Sequence, residues 1–181
     1  MCSSSGVTNE AVFDNVFSNS YVAYKVIIPW MDAAANPWNL RFRFRSGGAS
    51  GANHSDADYY GVVSEYGSGT SDTYKNTLAS GLTSALLCHR INGNDNSMGC
   101  CGVIDIFALN EPTILGTQHD RGSVVNPFFQ SNFNLYHGST AHNANIDMGY
   151  GGSQGYWRFN ESHSGSDYTG FILFCNDNND S

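Results

Sequence analysis

The sequence predicts an all-β fold, an antiparallel two-sheet sandwich, and three observations lead there. Between Leu40 and Arg45 apolar and charged residues alternate strictly. Short runs rich in Val, Ile, Phe and Tyr recur along the chain, separated by Gly-, Asn- and Ser-rich turns. No segment sustains a convincing helical period over the length a stable helix needs.

Residues 1–10 are polar and read as a loose N-terminal segment; 11–175 read as one domain and 176–181 as a polar tail. Ala11–Phe17 is a strand candidate. Tyr21–Trp30 follows, dominated by β-branched and aromatic residues, with Pro29 expected to end ladder pairing or mark an edge. Asn36-Pro37 signals a turn. In Leu40-Arg41-Phe42-Arg43-Phe44-Arg45 the apolar residues face one side and the arginines the other, because successive side chains of a strand point to opposite faces. Ser46–Asn53 reads as a Gly/Ser loop, Tyr59–Tyr66 as a strand and Gly67–Ser71 as a loop.

Asn76–Arg90 is ambiguous. Leu78, Leu82, Ala85 and Leu86 fit a helical face, but Gly81 and Thr83 favour strand or irregular structure. Ile91–Gly99 is an Asn/Gly-rich loop. Cys101–Leu109 is apolar on both faces, with Ile104 and Ile106 opposite Val103, Asp105 and Phe107, which suggests a central strand. Asn110–Gly122 holds turn residues. Phe128–Tyr136, Asn145–Tyr150, Gly155–Phe159 and Thr169–Cys175 complete the strands.

The bulk properties agree with one domain. Of 181 residues, 40% are hydrophobic and 13% charged, so polarity comes from Asn, Ser, Gly, Thr and Tyr. That mix suits many turns and a surface that meets sugars or other subunits. A net charge of −8 argues against nucleic acid as a partner, since phosphate contacts need clustered Lys and Arg. No apolar run reaches the ~20 residues that span a bilayer, so no membrane partner is expected. The start, Met1-Cys2-Ser3-Ser4-Ser5-Gly6, lacks the basic and apolar regions of a secretion signal. The sequons at Asn53, Asn160 and Asn179 therefore read as chance matches. Cys2, Cys88, Cys100, Cys101 and Cys175 are odd in number and form no CxxC pair, so they read as reduced, part-buried thiols assembled in a reducing cytoplasm.

These segments resemble a family of jelly-roll domains in bacteriophage and prophage virion surface proteins, in tail fibres and in head-decoration or head-fibre proteins. The likeness runs through Phe13-Asp14-Asn15-Val16-Phe17, Tyr21-x-x-Tyr24-Lys25-Val26-Ile27-Ile28, Leu40-Arg41-Phe42-Arg43, Gly47-Gly48 and Tyr59-Tyr60. It continues in Gly102-Val103-Ile104-Asp105-Ile106-Phe107 and Gly170-Phe171-Ile172-Leu173-Phe174. The resemblance implies an antiparallel jelly-roll β-sandwich, a homotrimer, other virion proteins as partners, and a non-enzymatic role in assembly, particle stabilisation or host adhesion. A carbohydrate-binding, lectin-like module that recognises a host surface glycan is the alternative. Similar domains usually add a strand ending near a Tyr-Gly, whereas here Cys175 is followed only by Asn, Asp and Ser, which implies that the chain has been cut, that the last sheet is completed by a neighbour, or that its edge is left open.

Chemical motifs are sparse. Gly151-Gly152-Ser153-Gln154-Gly155 matches G-x-S-x-G, yet Tyr156-Trp157-Arg158-Phe159 reads as strand where a nucleophile elbow needs a helix. His54, His89, His119, His137, His142 and His163 form no ligand pair. Asn92-Gly93-Asn94-Asp95-Asn96 lacks the closing Glu of a calcium loop. Glutamates stand at 10, 65, 111 and 161, and no motif nominates a glycosidase pair. No catalytic residue, metal or cofactor is expected. Arg41, Arg43 and Arg45 share one strand face. They are either offset by cross-strand acids or form a charged face docking onto an acidic capsid or neighbouring subunit. Trp30, Trp38 and Trp157 either pack in the core or, for Trp38 and Trp157 above all, form a glycan-stacking platform.

Overall fold

The computed structural model describes residues 10–18, 20–31, 38–68, 73–91, 99–107, 127–136, 150–159 and 168–176. Their strands are β1 (Glu10–Phe13), β2 (Ala23–Met31), β3 (Trp38–Ser46), β4 (Ala52–Asn53), β5 (Tyr59–Ser68) and β6 (Thr73–Leu82). After these come β7 (Ala85–Ile91), β8 (Gly99–Phe107), β9 (Phe128–Tyr136), β10 (Tyr150–Phe159) and β11 (Tyr168–Asn176). The ambiguous 76–90 segment is two strands, with the turn at Thr83-Ser84 following Gly81, whose φ is 64°. That conformation costs glycine little and any other residue more.

A five-stranded sheet runs β1-β11-β3, and β4 and β7 share the far edge of β3. A six-stranded sheet runs β2-β8-β9-β10-β5-β6. Every pairing is antiparallel. β8 is an interior strand, flanked by β2 and β9, though it lies next to the edge rather than at the centre its two apolar faces suggest. β2 lies at an edge, and its register breaks between Ile28 and Met31, around Pro29. The last described strand, β11, is flanked by β1 and β3.

The core lies between the sheets. Leu40, Phe42, Phe44, Tyr59, Ile104, Ile106, Phe133 and Phe159 are fully buried, and removing each large side chain from water contributes about 1.5–3 kcal/mol. Phe42 meets Phe129 across the gap with centroids 4.8 Å apart, and within the six-stranded sheet Tyr59 meets its cross-strand partner Phe159 at 4.6 Å. Between β7 and β4, the edge of β3 lacks a strand partner at Phe44. Tyr59 from the opposite sheet fills the gap: its hydroxyl accepts from the Phe44 amide at 2.9 Å and donates to the His54 carbonyl at 3.1 Å. Two orphan backbone groups are thereby satisfied inside the protein.

Several sequence boundaries shift. The first strand ends at Phe13 rather than Phe17, because Asn15 takes φ 56° and turns the chain. β10 starts at Tyr150 rather than Gly155, so Gly151–Gln154 belong to it rather than preceding it. The 110–122 turn, the 92–98 loop, most of 145–150, and both termini lie outside the described residues.

Candidate functional site on the outer face of the six-stranded sheet

The three arginines do point away from the core, but they do not form a free charged face. Arg45 is 9% exposed. Its guanidinium donates to Asp14 Oδ1 at 2.7 Å, to Asn53 Oδ1 and to the Gly51 carbonyl at 3.0 Å. Arg41 is 5% exposed and donates to Ser84 Oγ at 3.1 Å. Arg43 donates to the Thr83 carbonyl at 2.9 Å, and its guanidinium lies 4.5 Å from the centroid of the Phe174 ring. The docking reading is corrected on this ground: each guanidinium is engaged within the chain, and Arg45 by an acid, Asp14, contributed by the loop after β1.

Trp157 is corrected as well. It is 3% exposed, its ring packs near Phe129, and it covers Gly61, where a Cβ would overlap the indole. Trp38 begins β3, and its side chain lies outside the described residues. Ser153 is fully buried mid-strand and donates to the Leu87 carbonyl of the opposite sheet at 2.8 Å, a structural bond rather than a nucleophile's position. Of the histidines, His54 packs its ring against Phe159 and Tyr168. The side chains of the others lie outside the described residues.

Cys88, Cys100, Cys101 and Cys175 are free thiols. A hydrogen bond that the Cys88 thiol donates to Cys100, and then burial, hold Cys88 well above its ordinary pKa. Burial, with Cys100 second, pushes Cys175 up to about 11. Such thiols stay protonated and unreactive near neutral pH. Among the described residues no group of three or more His, Cys, Asp or Glu is placed to hold a metal ion.

Strand parity builds a different site. In β10, Trp157 and Phe159 point inward, so Gln154, Tyr156 and Arg158 point outward. In β9, buried Phe129, Ser131 and Phe133 alternate with exposed Gln130, Asn132 and Asn134. Register aligns these across the sheet. One row reads Lys25, Asp105, Gln130, Tyr156 and Val62; the next reads Ile27, Val103, Asn132, Gln154 and Ser64.

Here the outer face dips into an open cleft of about 580 Å³. Ile27 and Pro29 of edge strand β2 form one wall, Cys101 and Val103 of β8 the floor, and the amides of β9 and β10 with Tyr156 the other side. Lys25 pairs with Asp105 at 3.1 Å, and Gln130 donates to Asp105 at 3.4 Å, so the cleft's one described ion pair is internally balanced. What remains for a ligand is uncharged: carboxamides offering both donors and acceptors, and the aromatic face of Tyr156, which is 58% exposed. The readable signal was Phe128-Phe129-Gln130-Ser131-Asn132-Phe133-Asn134, where amides hold every second position. The neighbouring strands hide it, because only their pairing makes a cleft.

No family model, no curated protein and no solved structure matches this chain.

Proposed function

We propose that the chain is a non-enzymatic adhesion module of a bacteriophage virion surface protein, and that the cleft of the six-stranded sheet holds a neutral glycan of the host surface. The observation that carries the glycan half is the cleft itself. Rows of carboxamides beside an exposed tyrosine suit hydroxyl-rich rings, which need paired donors and acceptors and an apolar face to stack on. A chain of net charge −8 disfavours polyanionic glycans. Asp105 is the one carboxylate among the described lining residues, and it is engaged by Lys25 and Gln130. Hydrolysis by the usual route asks for two carboxyls, so binding fits better than cleavage.

The virion half rests on the resemblance in segments such as Phe13–Phe17, Leu40–Arg43 and Gly170–Phe174, which also implies a jelly-roll path for the sandwich, a trimeric state and other virion proteins as partners. Arrays of neutral and acidic bacterial surface glycans test the first half. Binding to neutral glycans that falls about tenfold in Asn132→Ala/Gln154→Ala is expected, with no reducing sugar released. Retained binding in that variant, or none in the parent, defeats it. Solution mass from light scattering and the chain's crosslinked neighbours in assembled particles test the second.

A further inference from the structure

We infer that a linear oligosaccharide lies along β9, stacked on Tyr156 within the cleft and running beyond the cleft's lining onto Tyr66. This rests on the glycan reading above and fixes the ligand's length and course. Gln130, Asn132 and Asn134 form a ladder on one strand face. Tyr156 stands at the level of Gln130.

At the level of Asn134, the pairing runs Asn134–Gly152–Tyr66. Gly152 has no side chain on this otherwise amide-lined face, and a Cβ there would overlap the Tyr66 ring and its hydroxyl. The hydroxyl end of the Tyr66 ring therefore reaches over β10 into the space the glycine leaves, and Tyr66 remains 48% exposed. Val62 pairs with Tyr156 and Tyr66 with Gly152, so the two aromatic levels lie four residues apart, roughly 13 Å along the strands. One monosaccharide cannot touch both levels, whereas a short linear chain can, with the amides of Asn132 and Gln154 between them. Rigid tyrosines supply stacking area at little entropic cost, which suits a ligand held by repeated weak contacts.

The test is calorimetry of the whole chain against neutral gluco-, galacto- and manno-configured oligosaccharides of increasing length, from the monosaccharide upward. Affinity should climb with length and then level off. Tyr66→Ala and Tyr156→Ala should each lower binding of the long oligomer by about tenfold while leaving the circular dichroism spectrum unchanged. Gly152→Ala, which tips the Tyr66 ring without removing it, should weaken the long oligomer and spare the short ones. If monosaccharide and long oligomer bind alike, or Tyr66→Ala changes nothing while Tyr156→Ala does, the site is an end-group pocket: the extended course fails and the glycan reading survives. If no neutral sugar of any length binds, both fail.

Discussion

The two sheets turn opposite kinds of surface outward. On the five-stranded sheet the outer face carries charge, and its described cations are tied down. Arg45 is gripped by Asp14, Asn53 and Gly51, Arg41 by Ser84, and Arg43 by Thr83 and the Phe174 ring. On the six-stranded sheet the cleft sets exposed amides and Tyr156 among apolar side chains, and its one described carboxylate is paired with Lys25. Charged groups are costly to bury and are kept only where partners offset the desolvation, so a strand face rich in arginine becomes architecture. Amides tolerate water and ligand alike, so a face rich in them can stay open. The difference teaches that the most conspicuous residues of a strand are not thereby its functional ones.

The largest effect that can break this contrast lies in two adjacent residues. Trp157→Ala should destabilise the fold by about 3–5 kcal/mol in urea unfolding, because it empties the core above Gly61. Tyr156→Ala, one position earlier, should stay within about 0.5 kcal/mol of the parent. Similar losses for both would mean that the parity of β10 is wrong. On the other sheet, Arg45→Ala should cost about 2–3 kcal/mol, since it strips the Asp14 carboxylate and the Asn53 and Gly51 acceptors of their donor. The same variant should leave glycan binding intact; lost binding with a sound fold would restore the arginine face as a site.

Alkaline titration gives a smaller effect. The Cys175 thiol has a folded pKa of about 11, above the ordinary 9.0. The unfolded chain therefore releases this proton first. Its contribution is fully present below pH 9 and is lost as pH rises towards 11, at up to about 1.4 kcal/mol per pH unit across that window. Cys175→Ser should flatten this part of a stability–pH curve. The smallest effect is expected for Asn132→Ala/Gln154→Ala, which should leave the unfolding midpoint nearly unchanged while weakening glycan binding.

Much of the architecture was legible because it is local. Alternation over Leu40–Arg45 marked which residues enter the core, and the two apolar faces of Cys101–Leu109 marked a strand paired on both sides. Pro29 marked an edge. What stayed hidden is non-local or depends on parity. The partners of the arginines come from Asp14, Thr83 and Ser84, which no spacing rule connects to β3. Gly151, Gly152 and Gly155 interrupt the alternation of β10, so the inward turn of Trp157 could not be read from its neighbours. The cleft needs the register of four strands at once.

The Tyr59 hydroxyl offers a way to watch the sandwich open. Most strand amides exchange with deuterium when a ladder frays, but the Phe44 amide is held by a side chain of the facing sheet. Its exchange therefore requires the two sheets to part, and this single proton clocks their separation.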